Sequence, residues 1–248
     1  MTMAVLAIRS LRKQYPSFLL DDVSFSLEKG RIMGLIGRNG AGKTTTLKSI
    51  FRLVHPDGGE VDVFGLDMAT HEREIKQRLG YAGGAVDFYR RKKLRDIVAV
   101  TKQFYDSWDD DAYRKYMDAF SLDENKTPAE LSEGMRVKFS LTQALSHRAE
   151  LLILDEPTSG LDPVSREELL ETFLFLKDRD VSILFSTHIT TDLEKCADDI
   201  TYIAKGKLIA SQPLSSFLAE NAQAGHGCSL EDIMVHYEKE SLYEKLAD

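Results

Sequence analysis

A glycine-rich loop at residues 37–44 has the composition of a phosphate-binding segment. Its sequence is Gly37-Arg38-Asn39-Gly40-Ala41-Gly42-Lys43-Thr44, which fits the pattern G-x-x-x-x-G-K-[ST] of a P-loop. Glycines let backbone N–H groups curl around phosphate oxygens, and a helix that follows directs its positive end at the same anion. Lys43 is the expected charge for the β- and γ-phosphates, and Thr44 is the expected hydroxyl ligand of Mg²⁺. We also assign Thr45 to the nucleotide site.

A second chemical signal lies at Leu151-Leu152-Ile153-Leu154-Asp155-Glu156, where an apolar run ends in two carboxylates. In a P-loop enzyme, the aspartate at such a strand end holds Mg²⁺. A neighbouring carboxylate can act as the general base on the attacking water, which makes Glu156 a candidate. A core strand that ends in solvated acids is the alternative interpretation, and the P-loop in the same chain disfavours it. The two motifs together predict a nucleotide hydrolase or a kinase.

The segments around these motifs predict an α/β fold. Alternation over 23–27 and an apolar run over 32–36 predict strands, a helix is expected from about 43 to 54, and a strand from 60 to 64. From 151 onward, strands at 151–154 and 181–185 alternate with helices at 164–177 and 190–196, as in a parallel sheet with crossover helices. A hairpin is expected at 200–204 and 207–210, turned by Lys205-Gly206.

Between about 94 and 147 apolar residues recur at helical spacing and strand signals vanish. We therefore expect a helical subdomain, at about 90–147, inserted in a sheet domain. Helix starts are expected at Asp109-Asp110-Asp111 and at Thr127-Pro128. The predicted organisation is one main domain over 1–220 and a helical tail over 221–248, with a break at Gly225-His226-Gly227.

Further motifs carry a resemblance to the ATPases of ATP-binding-cassette (ABC) transporters. Leu131-Ser132-Glu133-Gly134-Met135 resembles their signature motif LSGGQ, and Ser159-Gly160-Leu161-Asp162 resembles their D-loop. His188 is placed like their switch histidine, and Tyr15 like the aromatic residue that stacks on adenine. The motifs follow the family's order, and the resemblance covers residues 4 to 215.

The resemblance implies the fold and a mechanism. The fold would be a P-loop NTPase parallel-sheet core with an N-terminal antiparallel β subdomain and an inserted helical subdomain. Two nucleotide domains would stack head to tail around two ATP molecules, as a homodimer or with another ABC ATPase. Ser132 and the Gly134 backbone of one subunit would reach the γ-phosphate held by the other. Glu156 would polarise water, and His188 would hold the γ-phosphate.

The sequence departs from the family pattern at two motifs. The position of the family's loop glutamine is occupied by Gly84, which has no side chain to reach Mg²⁺ or water; a water molecule or Asp87 is left as the substitute. In the signature, Glu133 replaces a glycine and Met135 replaces the glutamine. Glu133 would lie in the first turn of a helix, where a carboxylate is favourable. The stretch 104–109, this signature and the segment 229–233 resemble ABC-2-type exporters.

Composition limits the competing functions. The chain has 248 residues, 43% hydrophobic and 29% charged, with a net charge of −8, so it has the balance of an ordinary globular protein and no overall basic footprint for nucleic acid. A local basic cluster at 90–93 more often marks a solvated loop or a docking edge. Cys196 and Cys228 form no CxxC pair, as in a reducing compartment.

Nothing in the sequence predicts a signal peptide, and no apolar run approaches the ~20 residues that span a bilayer. The leading hypothesis is therefore a cytoplasmic ATPase, peripheral to the inner face of the membrane, that pairs with separate permease subunits. A soluble ABC ATPase without a transport role and a weakly hydrolysing nucleotide switch are the alternatives. The single cassette, the lack of a coiled-coil insertion and the acidic charge disfavour the first of these. Glu156 and His188 disfavour the second.

Overall fold

The computed structural model describes residues 4–83 and 89–237 of the chain. The strands are β1 (Ala4–Tyr15), β2 (Phe18–Glu28), β3 (Ile32–Ile36), β4 (Gly58–Val63), β5 (Leu66–Asp67), β6 (Leu79–Gly83), β7 (Leu151–Asp155), β8 (Ser182–Thr187), β9 (Asp199–Ala204) and β10 (Lys207–Pro213). The helices are α1 (Lys43–Ile50), α2 (Glu72–Gln77), α3 (Leu94–Thr101), α4 (Asp110–Ala119), α5 (Glu133–Ser146), α6 (Pro163–Lys177), α7 (Thr190–Cys196) and α8 (Leu214–Gln223). Short 3₁₀ helices span Lys102–Phe104 and Pro128–Glu130, and residues 230–237 are helical.

The N-terminal strands form an antiparallel sheet in the order β2-β1-β4-β5. In β2, the side chains of Val23, Phe25 and Leu27 are buried while Ser24 and Ser26 are exposed, which is the alternation of a sheet with one covered face. The predicted strand at 23–27 and the predicted N-terminal antiparallel subdomain are therefore confirmed.

The second sheet has the order β10-β9-β3-β8-β7-β6. The five strands from β9 to β6 run parallel, and β10 pairs with β9 antiparallel. Alternate residues of its central strands enter two different cores. Ile36, Leu154 and Phe185 pack with the helices on one face, whereas Leu35 and Ile153 pack towards α1 and the antiparallel sheet on the other. Because both faces are covered, these strands read as continuous apolar runs. Because β3, β7 and β8 are parallel, their carboxyl ends lie at the same edge of the sheet.

The segment from α3 to α5 contains helices only, and it has a small core of its own that includes Leu94, Tyr113, Met117 and Phe139. Asp109 caps α4 by accepting from the N–H groups of Asp111 and Ala112, so the predicted helix start is confirmed. A capping box also closes around Thr127 at the start of the second 3₁₀ helix.

The α1 helix is four residues shorter than predicted and ends at Ile50. The reason is a left-handed turn at Arg52, whose φ is 53°. The N–H groups of Leu53 and Val54 then return to the carbonyl of Lys48, as in a left-handed C-cap. Such a cap usually carries glycine, and arginine in that position gives the sequence no stop signal.

The chain leaves β10 into α8 and then bends over residues 224–229 before the helical segment 230–237 begins. This bend falls at the predicted break. Leu230 and Ile233 are fully buried in the core that also holds Leu193 of α7, and the N–H of Leu230 donates to Glu194 Oε1 at 2.7 Å. Within the described ranges, no helix has both the length and the apolarity needed to cross a membrane.

Candidate functional site

The glycine-rich loop connects β3 to α1 at the carboxyl edge of the parallel sheet. Gly37 has a φ of 148°, and a Cβ at this position would lie 2.2 Å from the carbonyl oxygen of Ile203. Gly42 is the N-cap of α1 with a φ of 119°. These two positions require glycine because an L side chain would be strained and would collide. The loop therefore wraps the N-terminal end of α1, where an anion is favoured.

Lys43 points back into this loop. Its side chain is only 6% exposed, and Nζ donates to the carbonyl oxygen of Gly37 at 2.7 Å. The same ammonium lies 3.4 Å from Glu156 Oε1. A buried ammonium needs such partners because desolvation penalises an unpaired charge. The Lys43 ammonium thus lies between the P-loop and Glu156, the last residue of the motif at 151–156.

Thr44 and Asp155 meet across the site, with Thr44 Oγ1 donating to Asp155 Oδ1 at 3.2 Å. A hydroxyl and a carboxylate are hard oxygen ligands, which suit Mg²⁺ when water and substrate phosphates complete the octahedron. The pKa of the nearby Tyr81 is raised, mainly by burial and to a smaller extent by the negative charge of Asp155. The donor set therefore fits a magnesium ion.

Glu156 adopts a left-handed backbone conformation with a φ of 52°. This turn follows directly on β7, and the Glu156 Oε2 atom lies 2.7 Å from His188 Nδ1. The histidine ring is about half exposed. One carboxylate oxygen thus contacts the histidine while the other faces Lys43. The arrangement brings together an acid, a base and a cation, as a phosphoryl-transfer site requires.

Lys43, Thr44 and Glu156 border an open pocket of about 480 Å³. Its lining residues belong to the turn after β1, the P-loop and the end of β7: Tyr15, Ser17, Phe18, Arg38, Asn39, Gly40, Gly42, Lys43, Thr44, Thr45 and Glu156. The rings of Tyr15 and Phe18 lie 6.5 Å apart and are tilted by 34°. They form an aromatic wall beside the P-loop, where a planar base could stack.

The predicted signature residues lie elsewhere. Ser132 is the exposed N-cap of α5 and its Oγ accepts from the N–H of Met135 at 3.2 Å. Gly134 is buried in the first turn of α5, and a Cβ there would lie 3.5 Å from Leu161. Neither residue lines the P-loop pocket. Glu133 occupies the first turn of α5 as expected, and it pairs with Arg136 at 2.7 Å.

Two functional candidates escaped sequence reasoning. Phe18 joins Tyr15 in the pocket wall, and its signal was an aromatic residue three positions after Tyr15. Ser186 contacts both carboxylate residues: it donates to Asp155 Oδ1 at 2.6 Å and accepts from the Glu156 N–H at 2.9 Å. Its signal was a hydroxyl at the end of an apolar strand. Gly84 and Asp87 lie outside the described residues.

The fold and the site define a P-loop nucleoside triphosphatase, and comparison with known proteins narrows the class. The ABC transporter family model matches residues 20–159. The bacitracin transport ATP-binding protein BcrA of Bacillus licheniformis is 31% identical over 88% of this chain and 72% of its own length. The Nod factor export ATP-binding protein I of Burkholderia orbicola is 34% identical over 85% of this chain and 71% of its own.

A solved structure of an ATP-binding subunit of an ABC transporter agrees in fold. It has a TM-score of 0.82 and 28% identity, and the match covers 93% of this chain and 98% of that one. The chain belongs to the ABC transporter family. Within that family it is an ATP-binding subunit that hydrolyses ATP to power transport.

Proposed function

We propose that this chain is the ATPase subunit of an exporter and acts through separate membrane permease subunits. The relative named for bacitracin transport supports a role in transport, and the relative named for Nod factor export supports the outward direction. A nucleotide-driven subunit of this kind would sit in the cytoplasm against the inner face of the membrane, held there by its permease. The exported compound would be chosen by the permease.

One observation supports nucleotide-dependent dimerisation most strongly. The P-loop pocket holds Lys43, Thr44 and Glu156 but is not lined by Ser132 or Gly134. Ser132 is instead exposed at the start of α5, where helical N–H groups would favour an anion. Each chain would therefore carry two separate parts of a phosphate site, the P-loop pocket and the start of α5, and neither part would be complete alone. A head-to-tail pair, with itself or with a related ATPase, would complete both halves in an isologous interface.

Binding of ATP starts in the P-loop. Its phosphates would replace the contacts that Lys43 makes with Gly37 and Glu156, so the buried ammonium would keep a negative partner. The adenine would stack on Tyr15, beside Phe18. Thr44 and Asp155 are the residues that would hold Mg²⁺, and the ion would neutralise charge on the phosphates.

Hydrolysis needs a water molecule lined up with the γ-phosphate. Glu156 would accept its proton, because displacement of the lysine by the phosphates would leave Oε1 open towards the pocket. His188 contacts Oε2 and would keep the carboxylate in one orientation. The exposed side of the imidazole would then remain available to the γ-phosphate. Loss of that phosphate would remove the contacts that join the two chains.

The test is purification of the tagged chain from native membranes in mild detergent, with partners identified by mass spectrometry. We expect a multi-span membrane protein in stoichiometric amount, together with ATP hydrolysis by the purified complex. An untagged strain is the control for adventitious membrane proteins. Recovery of ribosomes or soluble proteins, with no membrane partner, would contradict the transport assignment and leave ATP hydrolysis standing.

A further inference from the structure

Ser186 occupies the end of β8, beside the carboxylates at the end of β7. It is the register partner of Asp155 in the parallel pair β7–β8. Its side chain is fully buried, and its Oγ donates to Asp155 Oδ1 at 2.6 Å. The same Oγ accepts from the backbone N–H of Glu156 at 2.9 Å. One hydroxyl therefore bridges the metal-side aspartate and the candidate general base.

The direction of these bonds is determined by chemistry. A serine hydroxyl has a single proton, and an ionised carboxylate can only accept. The Ser186 hydroxyl therefore donates its proton to Asp155, and an oxygen lone pair accepts from the Glu156 N–H. Neither bond can reverse, so the hydroxyl holds both groups in one relative orientation. Buried bonds to charged groups are among the stronger hydrogen bonds in proteins.

The Glu156 backbone needs this support. A left-handed φ of 52° is unfavourable for a residue with a Cβ. Its N–H is held twice by Ser186, through Oγ and through the backbone carbonyl oxygen at 3.1 Å. This turn is what directs the Glu156 side chain to Lys43 and His188. Loss of the hydroxyl would leave the carbonyl alone to hold the turn.

The same aspartate oxygen also accepts from Thr44 Oγ1 at 3.2 Å. A continuous polar chain thus runs from Thr44 through Asp155 and Ser186 to the Glu156 backbone. We propose that Ser186 is a positioning residue that couples the Thr44–Asp155 magnesium site to the orientation of Glu156. The inference rests on the ATPase function and adds to it a residue that does not itself line the nucleotide pocket and acts through Asp155 and Glu156.

The test compares Ser186→Ala with Ser186→Thr and with the matched control Ser182→Ala. Ser182 is also fully buried on β8, but its Oγ accepts from the Gly30 N–H at 2.9 Å, at the opposite end of the strand. Both alanine variants lose side-chain hydrogen bonds, two at Ser186 and one at Ser182, so both should lower the melting temperature. A purely structural role would lower activity in both to a similar extent.

For Ser186→Ala we expect kcat to fall roughly ten- to a hundredfold while the KM for ATP stays within about threefold, as when an interaction used mainly in the transition state is removed. Ser186→Thr, which keeps the hydroxyl, should restore most of kcat. Ser182→Ala should keep kcat within about twofold of the unchanged protein. Fluorescent-nucleotide titration gives a second readout: the gain in ATP affinity on adding Mg²⁺ should shrink only in Ser186→Ala.

The proposal is overturned if Ser186→Ala keeps its kcat and its magnesium-dependent affinity gain, or if Ser182→Ala loses as much of both. Failure of the transport assignment would leave these comparisons intact, because ATP hydrolysis would still be measurable. Failure of the ATPase activity on which the proposal rests has a different signature, because the unchanged protein itself would then not hydrolyse ATP. In that case, the magnesium-dependent titration still decides the role of Ser186.

Discussion

His188 Nδ1 lies 2.7 Å from Glu156 Oε2 and so connects the residues that follow β8 and β7 across the nucleotide site. The contact fixes one carboxylate oxygen and leaves the other near Lys43, 3.4 Å from its Nζ. The histidine therefore orients the carboxylate before any nucleotide arrives. A general base needs this preorganisation, because it must lie within hydrogen-bond distance of the proton before its pKa can matter.

Replacement of His188 by alanine should slow hydrolysis more than it weakens ATP binding. Loss of a positioned acid–base group typically costs about 10²–10⁴-fold in rate, and we expect kcat to fall by at least the lower value. ATP affinity by fluorescent-nucleotide titration should change little, since the P-loop is untouched. Unaltered kcat in His188→Ala would contradict the role given to the Glu156 contact.

Replacement of Lys43 by alanine should weaken ATP binding. The variant lacks the buried ammonium and leaves Glu156 without its cationic neighbour. A charge-assisted contact of this kind is worth about 1.5–3 kcal/mol, or roughly ten- to a hundredfold in affinity. Lys48→Ala is the matched control, because Lys48 lies on the same helix but is exposed. Equal affinities in the two variants, measured by titration calorimetry, would be the contrary result.

Tyr15 should contribute to ATP affinity through its ring and not its hydroxyl. Base–aromatic stacking is worth about 1–3 kcal/mol, so Tyr15→Ala should weaken ATP binding roughly tenfold. Tyr15→Phe should bind as the unchanged protein does. The measurement is the Kd for ATP of both variants, with GTP as a second ligand. A loss of affinity in Tyr15→Phe equal to that in Tyr15→Ala would contradict stacking.

His147 should make stability depend on pH. The residue lies at the end of α5, stacked on Tyr105 with ring centroids 3.8 Å apart, and burial lowers the pKa of His147 to about 4. Its Nδ1 carries the proton, because its partner at 3.2 Å is the carbonyl oxygen of Gln77. In the unfolded chain the ordinary value is about 6.5. Between these values, the unfolded state binds the extra proton, so stability is complete above about pH 6.5 and is lost as the pH falls towards 4.

The loss assigned to His147 is on the order of 2–3 kcal/mol in the free energy of unfolding. Urea unfolding at pH 7 and at pH 4 measures it. The pH-dependent loss should be smaller in His147→Phe, which keeps the ring stack but cannot be protonated. It should be unchanged in His55→Gln, which replaces an exposed histidine. Parallel loss of stability in all three proteins would contradict this assignment.

Much of the fold could be predicted from local pattern. The apolar runs of β3, β7 and β8 read as buried parallel strands because both sheet faces are covered. The P-loop could be located because glycine is required where Gly37 approaches Ile203. The end of α1 could not, since the left-handed turn falls on Arg52 and not on a glycine. The predicted loop position Gly84 lies outside the described residues.

The site was less accessible to sequence reasoning wherever it depends on the order of strands. Ser186 contacts Asp155 only because β8 lies next to β7 in the sheet. The order of strands in a sheet cannot be read from the local sequence pattern. In the sequence, Phe18 cannot be distinguished from the other apolar residues of β2. Only the folded turn between β1 and β2 brings its ring next to Tyr15. The contact between Glu194 and the start of segment 230–237 likewise needs the tertiary fold.

Light scattering of Glu156→Gln after size-exclusion chromatography in MgATP tests both whether ATP joins two chains and whether Glu156 is the base. The amide keeps the shape of the side chain but cannot take the proton, so ATP should bind, hydrolysis should slow, and the mass should double relative to the nucleotide-free protein. Glu171→Gln, an exposed position on α6, is the control and should hydrolyse ATP normally. A Glu156→Gln protein that binds ATP and remains monomeric, or that hydrolyses it at the normal rate, would contradict the account.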